Sequence, residues 1–212
     1  MAKLTKPELP EHLRIRYNEL KGKIAQRLKD FQNCPKELYF YELCFCLCTP
    51  QSKAKLAFLV EQILIEKNYL IKPFGLAPLL GNKEHYIRFH NQKAGYIRLA
   101  RDNYGDIEKI ILSKMNNYEK RNLLSETVKG MGMKEASHFL RNIGFRGLAI
   151  LDRHILKHLM YCGVYDEIPK PTSKKVYLEI EQKFIEFSKS VGIPIDELDL
   201  LFWSYETGEI LK

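Results

Sequence analysis

Apolar residues recur every three or four positions along almost the whole chain, and glycine, proline and asparagine mark the breaks. This spacing is typical of amphipathic helices, because it places the apolar side chains on one side of each helix. No segment shows a convincing pair of strands joined by a hairpin. We therefore predict an all-α fold. The predicted helices cover residues 11–31, 36–48, a segment after 51, 84–101, 104–113, a pair around 128–144, 151–163, 173–190 and 194–207, and residues 72–83 are predicted to form a loop.

The stretch VKGMGMKEASHFLRNIG, residues 128–144, places Gly130 and Gly132 between two helical patterns. The predicted apolar faces consist of Leu123, Leu124, Thr127 and Val128 before the turn and Met133, Ala136, Leu140 and Ile143 after it. Glycine permits a positive φ and leaves the backbone N–H groups uncovered, so a phosphate can approach both the turn and the positive end of the next helix. The turn resembles the helix-hairpin-helix motif of DNA-binding proteins, although a plain helical hairpin also fits this stretch alone.

Further residues make the resemblance more specific. Lys134 follows the turn, Gly144 and Gly147 lie in the next loop, and Asp152 is the second residue of the run LDRHIL. The chain is also similar to one family in CTPQSKA (48–54), in RFHNQKAGYI (88–97) and in its final lysine. It resembles the short Ogg-type 8-oxoguanine DNA glycosylase/AP lyases of the HhH-GPD superfamily over nearly its whole length. The loop departs from the superfamily pattern because it has no proline between Gly144 and Asp152.

The resemblance implies two helical subdomains flanking an active-site cleft. Residues 1–212 are then one glycosylase unit with intertwined subdomains. The helix-hairpin-helix motif covers about 118–143, and the glycine-rich loop with its aspartate covers 144–152.

Lys134 is the candidate nucleophile. A free lysine is almost wholly protonated at neutral pH, so a nucleophilic lysine needs surroundings that destabilise the ammonium, and the positive end of a helix is one such place. The implied reaction is attack on C1′ of a flipped nucleotide, release of the base, and formation of an imine that permits strand cleavage. These steps require neither a metal nor another cofactor. A solvated surface lysine is the alternative role.

Asp152 directly precedes a helical stripe that contains Ile155, Leu156 and Leu159, so its structural role is to cap that helix. The cap does not exclude a second role. A carboxylate near the sugar can stabilise positive charge that develops at C1′ and can assist deprotonation of the lysine. The resemblance implies this second role for Asp152 in addition to the cap.

The resemblance also indicates residues that contact the damaged base or the gap that it leaves. Trp203 lies off the predicted core stripe Leu198, Leu201, Phe202 and Tyr205, so its indole is available for stacking against the base. Phe89 is a candidate for the opposite face of the base, and Gln51 is a candidate for filling the gap in the duplex. Lys212 offers three donors and a terminal carboxylate for recognition of the base. Each residue also has a purely structural alternative. Trp203 can form a packing surface, Gln51 can be a surface amide, and Lys212 can belong to a solvated tail.

Composition supports this picture without establishing it. Lysine and arginine total 34 against 26 acidic residues, a formal net charge of +8, which favours a polyanionic partner. The segment MAKLTKPELPEHL has no apolar signal core, and no apolar run reaches the ~20 residues that cross a bilayer. We expect a monomer in the prokaryotic cytoplasm, associated with the nucleoid, that binds double-stranded DNA containing 8-oxoguanine or abasic sites.

A metal site is one interpretation of the cysteines. Cys44 and Cys48 share a helical face, whereas Cys46 does not, and Cys34 is the nearest fourth residue. Buried thiols in an apolar helix are the preferred interpretation.

Two other functions stay open at the level of sequence. A helix-hairpin-helix module can bind DNA without chemistry, in which case Lys134 only contacts phosphate. A glycosylase of this type can also act on another damaged base. Trapping of an imine by borohydride separates the first alternative from an enzyme, and trapping on several lesions separates the second.

Overall fold

The computed structural model describes residues 6–212 and contains no strand among them, so the all-α prediction is confirmed. Short 3-10 helices also occur at Lys36–Leu38 and Lys83–His85. The α-helices in chain order are α1 (Glu11–Gln32), α2 (Tyr39–Cys48), α3 (Ala54–Glu66), α4 (Leu76–Leu80), α5 (His90–Asp102), α6 (Tyr104–Leu112), α7 (Asn117–Thr127), α8 (Met133–Asn142), α9 (Arg153–Tyr161), α10 (Lys174–Val191) and α11 (Ile195–Thr207).

The chain divides into two compact units. The central unit, Asn33–Ile143, contains α2 to α8. The terminal unit combines the chain up to Gln32 with Gly144–Lys212, so it contains α1 and α9 to α11. The central unit is therefore inserted into the sequence of the terminal unit. The prediction that the whole chain forms one glycosylase unit remains a prediction.

The central unit is built around α2, which is buried from Phe40 to Cys48. Helices α3, α5 and α8 pack against α2. This explains why α2 is mostly apolar, because a helix surrounded by others has no solvent-facing side. Its one acidic residue, Glu42, is buried and accepts a hydrogen bond from Asn142 of α8. The predicted burial of Cys44, Cys46 and Cys48 is confirmed, and burial raises the pKa of the Cys48 thiol to about 12.

In the terminal unit, α11 packs against α1, α9 and α10. The ring of Phe202 on α11 stacks on His158 of α9, with centroids 4.6 Å apart, and on Phe184 of α10. Helix boundaries follow local signals. Ser173 caps the first turn of α10 through its hydroxyl, and the positive φ of Gly192 and Gly208 ends α10 and α11.

Several details differ from the predictions. Residues 72–83 contain the short helix α4, because Leu76 and Leu80 bury one face although the segment is rich in turn-forming residues. The predicted helix 84–101 instead begins as a regular helix at His90, since Phe89 has a left-handed backbone. Thr127 and Tyr205 were predicted in apolar stripes, but both are exposed. Each lies in the last turn of its helix, and Tyr205 contacts His12 at the surface.

Within residues 6–212, no helix is long and apolar enough to span a membrane. The first five residues of the N-terminal segment that lacks a signal core lie outside the described residues.

Candidate active site

In the central unit, the turn between α7 and α8 has the conformation that its glycines predict. Gly130 has a φ of 87°, and a Cβ at this position would overlap the ring of Tyr96 on α5. The turn therefore needs glycine both for its backbone and for the close approach of Tyr96. Met131 is buried between the two glycines, whereas Gly130 and Gly132 remain exposed. The backbone is thus fixed from one side and open to solvent on the other.

Lys134 lies in the first turn of α8, as predicted, and its side chain is about one-third exposed (33%). Its Nζ forms an ion pair of 3.0 Å with Oε1 of Glu135. The other oxygen of Glu135 accepts a hydrogen bond from the backbone N–H of Gly132 at 3.2 Å. One carboxylate therefore holds both the turn and the amine. Glu135 was not singled out from the sequence, although it stands three residues after Gly132 at the spacing of a capping residue.

Gln51 and Phe89, also in the central unit, share an unusual backbone. Both have left-handed conformations, with φ of 56° and 60°, and both are exposed. Phe89 is 46% exposed, and the guanidinium of Arg88 lies 4.9 Å from the centroid of its ring. The backbone N–H of Arg88 donates to Oγ of Ser52 at 3.0 Å, so the two segments are joined. Residues that combine a strained backbone with an exposed side chain are often found at functional sites.

In the terminal unit, the loop 144–152 is held mainly by side chains from distant parts of the sequence. The carboxylate of Asp196 accepts from the backbone N–H of Gly147 at 3.1 and 3.2 Å, and Glu181 accepts from that of Ala149 at 2.8 Å. The hydroxyl of Tyr177 donates to the carbonyl of Ala149 at 2.6 Å. The three side chains are buried, so these bonds satisfy backbone groups that have no helical partner. They fix the backbone of the loop at Gly147 and Ala149.

The loop delivers Asp152 to the start of α9. Oδ1 of Asp152 accepts hydrogen bonds from the backbone N–H groups of His154 and Ile155 at 2.8 and 2.9 Å, so the predicted cap is present. Within the described chain no hydrogen bond ends on Oδ2. Asp152 is half-buried, which leaves its second oxygen able to act on a substrate while the first holds the helix.

Trp203 is connected to Asp152 through one residue. The rings of Trp203 and His154 meet edge to face, with centroids 5.3 Å apart, and Nδ1 of His154 lies 3.6 Å from Glu206. Burial opposes ionisation of Glu206, but the hydrogen bond from Lys157 and the charges of Lys157, His158 and His154 together outweigh it, so the pKa of this carboxyl is lowered. Trp203 is half-buried, and its Nε1 has no hydrogen-bond acceptor among residues 6–212. The prediction that Trp203 lies off the core stripe is confirmed.

The C-terminal segment after α11 docks on the terminal unit. Ile210, Leu211 and Lys212 are all half-buried, and Arg27 of α1 donates to the carbonyl of Ile210 at 3.4 Å. This position agrees with the expectation that apolar residues hold the end of the chain in place. The tail is therefore a packed segment.

Comparisons with known proteins identify the family. A family model described as Ogg-HhH, 8-oxoguanine DNA glycosylase, matches residues 24–193. The chain belongs to this family. Two relatives named 8-oxoguanine DNA glycosylase/AP lyase come from Fusobacterium nucleatum (40% identical, over 92% of this chain and 94% of the relative) and Methanocaldococcus jannaschii (38% identical, over 93% and 96%).

Solved structures of the family agree with the fold. The crystal structure of the M. jannaschii 8-oxoguanine DNA glycosylase has a TM-score of 0.83 and 38% identity, over 95% of each chain. That of the M. jannaschii 8-oxoguanine glycosylase/lyase with a 15mer DNA containing 8-oxoguanine has a TM-score of 0.81 and 35% identity, over 95% of this chain and all of that one. The predicted family resemblance is confirmed.

The predicted site residues of this Ogg-HhH family member come from both units. Lys134, Gly130, Gly132, Phe89 and Gln51 belong to the central unit, and Asp152, Trp203 and Lys212 belong to the terminal unit. The sequence did not predict the buried side chains that hydrogen-bond to the segments carrying these site residues. Lys93 gave one usable signal, because it is a lysine on the same helical stripe as the buried Ile97 and Ala100. Glu181 and Asp196 gave no local signal.

Proposed function

We propose that this chain excises 8-oxoguanine from duplex DNA and then cleaves the abasic strand, with Lys134 as the nucleophile for both steps. The predicted activity agrees with that of its relatives, which are named 8-oxoguanine DNA glycosylase/AP lyase, so the prediction of function and enzyme class is confirmed. The observation that carries the assignment to Lys134 is its place in the first turn of α8, directly after the exposed glycine turn.

The chemistry requires a nucleotide rotated out of the duplex, because a side-chain nucleophile cannot reach C1′ inside stacked DNA. The neutral amine of Lys134 forms a bond to C1′ while the glycosidic bond breaks and the base leaves with its electron pair. Opening of the sugar gives an imine. Loss of the C2′ proton then expels the 3′ phosphate, because the imine accepts the electron pair.

Asp152 acts on the same nucleotide in this proposal. Positive charge develops at C1′ as the glycosidic bond breaks, and a carboxylate beside the sugar stabilises it. Oδ1 is used by the backbone of α9, so Oδ2 is the oxygen assigned to this task. Lys134 must also lose a proton before attack. Its ion pair with Glu135 stabilises the ammonium, so this pair must break before the amine attacks, and removal of the proton is assigned to Asp152.

Base recognition is assigned to Trp203, Phe89 and Lys212. Stacking of a base on an aromatic ring is worth roughly 1 to 3 kcal/mol, and both aromatic side chains have accessible surface. 8-Oxoguanine carries a hydrogen at N7 that guanine lacks, while its N1 and N2 donors suit the terminal carboxylate of Lys212. Gln51 is assigned to the gap that the flipped base leaves. A C-terminal tag should therefore slow excision of 8-oxoguanine more than cleavage of a pre-formed abasic site.

Binding of the DNA backbone is assigned to Gly130 and Gly132, which are exposed and directly precede the positive end of α8. The formal charge of +8 favours a partner with many phosphates. On this basis we also assign the protein to the nucleoid, where its substrate is found.

Borohydride trapping tests the proposal. The protein is mixed with duplex containing 8-oxoguanine and reduced with borohydride, and the covalent adduct is measured by denaturing electrophoresis. The wild type should form an adduct, whereas Lys134→Gln should form none and should still bind the duplex. Wild-type binding without an adduct would favour a DNA-binding module, and adducts only on another lesion would change the assigned substrate.

A further inference from the structure

Lys93 is a buried lysine at the start of α5 in the central unit. It is 5% exposed and lies on the buried face of the helix together with Ala94, Ile97 and Ala100. A lysine in such a place is uncommon, because burial of an ammonium costs free energy unless its protons find acceptors. Packing alone therefore does not explain why a lysine is buried at this position.

All three protons of the Lys93 ammonium have an acceptor. Nζ donates to the carbonyl oxygen of Cys48 at 2.7 Å, to that of Pro50 at 2.6 Å and to Oγ of Ser52 at 3.2 Å. These acceptors lie on both sides of Gln51, which has the left-handed backbone. Lys93 thus binds the ends of a five-residue segment, 48–52, and leaves the Gln51 side chain exposed.

Lys93 also contacts the second strained residue. Its backbone N–H donates to the carbonyl of Phe89 at 3.0 Å, which is the first hydrogen bond of α5. Ser52, which accepts from Nζ, also accepts from the backbone N–H of Arg88. The segments that present Gln51 and Phe89 are therefore connected through one ammonium and one hydroxyl.

We propose that Lys93 is a positioning residue that locks the Gln51 and Phe89 segments together before DNA binds. A left-handed backbone at a residue other than glycine persists only where surrounding contacts enforce it. Lys93 and Ser52 provide those contacts for both segments. The inference rests on the proposed function, in which Phe89 contacts the flipped base and Gln51 occupies the gap.

The electrostatic setting supports this role. Burial lowers the pKa of Lys93 to about 8, against the effect of Cys48 and Glu135, while Lys134 lowers it further. The side chain is therefore mainly protonated at neutral pH and supplies all three donors. A neutral amine has only two donors and cannot satisfy three acceptors.

Lys93→Met tests the proposal, because methionine keeps an unbranched side chain and removes every donor. Lys120→Met is the matched control. Lys120 is another buried lysine of the central unit, and its Nζ donates to the carbonyls of Ile111 and Ser113 at 2.5 and 2.6 Å. Those carbonyls belong to the end of α6, away from the Gln51 and Phe89 segments in sequence.

Two rates are measured under single-turnover conditions with saturating enzyme, namely excision of 8-oxoguanine and cleavage of a pre-formed abasic site. For Lys93→Met we expect excision to fall at least about tenfold and abasic cleavage to fall less than about threefold, since an abasic site offers no base for Phe89. For Lys120→Met we expect equal changes in both rates. Thermal melting shows whether the two variants are comparably destabilised.

Equal changes in both rates for Lys93→Met, or the same selective loss in Lys120→Met, would overturn the proposal. If Lys93→Met does not fold, Ser52→Ala is tested in its place. This change removes only the hydroxyl that accepts from Lys93 and from Arg88. Excision by Ser52→Ala should fall about threefold more than abasic cleavage, and unchanged excision would also overturn the proposal. Absence of a trapped adduct in the wild type would instead reject the proposed function.

Discussion

The turn 128–132 and the loop 144–152 both present a candidate catalytic residue at the start of a helix, but they are held in different ways. The turn depends on its own glycines and on Tyr96, which packs against Gly130. The loop depends on Glu181 and Asp196, whose carboxylates bind its backbone from 32 and 49 residues away. Both contain glycines with a positive φ, but the loop is held in addition by hydrogen bonds from distant carboxylates, whereas Tyr96 limits the space at the turn.

This difference explains which features could be interpreted before a structure was known. Glycine at a tight turn restricts the backbone through its own properties, so its effect is visible in a short stretch of sequence. A buried carboxylate that binds a loop has the same sequence appearance as a surface carboxylate. The loop has no proline between Gly144 and Asp152, and only the structure shows which side chains fix its backbone.

The largest expected effect is on the rate of excision. It separates the capping role of Asp152 from its catalytic role. Asp152→Asn should keep the hydrogen bonds to α9, because asparagine caps helices about as well as aspartate. The free energy of unfolding should change by less than about 0.5 kcal/mol. Excision should slow by about 100- to 1,000-fold, because the amide cannot stabilise positive charge at C1′.

Single-turnover excision and thermal melting measure the two quantities for Asp152→Asn. Asp152→Ala is the control, since it loses the cap as well and should cost about 1 kcal/mol of stability. A loss of activity that merely follows the loss of stability in both variants would favour a purely structural aspartate.

Much of the helical pattern could be predicted, because apolar spacing and end signals such as Pro194 and Gly208 act locally. The same applies to the turn at Gly130 and to the cap at Asp152. Tyr205 was wrongly predicted as a core residue, because helical spacing does not show where a neighbouring helix stops covering a face. The support from Glu181 and Lys93 could not be predicted, since it depends on contacts between distant segments.

The next prediction compares a glycine from each region. Gly130→Ala should cost about 2 to 4 kcal/mol, because a left-handed backbone and a clash with the Tyr96 ring act together. Gly147 has a φ of 80°, but the space that the methyl group of alanine would occupy there is open, so Gly147→Ala should cost only about 1 kcal/mol. Denaturant unfolding measures both changes, and equal costs would contradict the assigned role of Tyr96.

The last of these predictions concerns Lys93, the buried cation of the central unit, and the pH dependence of stability that it causes. The pKa of Lys93 is about 8 in the folded protein and close to 10.5 in the unfolded chain. Between these values the unfolded chain binds more protons, so folded-state stability should rise with pH by an amount on the order of 1 to 2 kcal/mol. Below pH 8 both states are protonated and the contribution is constant.

Thermal melting of the wild type and Lys93→Met from pH 7 to 10.5 isolates this effect, because the other titrating groups are common to both proteins. The wild type should gain stability relative to the variant above pH 8. A constant difference across this range would show that the Lys93 ammonium carries no burial penalty.

The nucleophilic role of Lys134 is tested most directly by locating the covalent bond. The adduct trapped by borohydride on 8-oxoguanine duplex is digested with nuclease and protease, and mass spectrometry identifies the lysine that carries the sugar remnant. We expect the remnant on Lys134. A remnant on Lys93, the buried lysine whose pKa is lowered to about 8, or on Lys212 would contradict it.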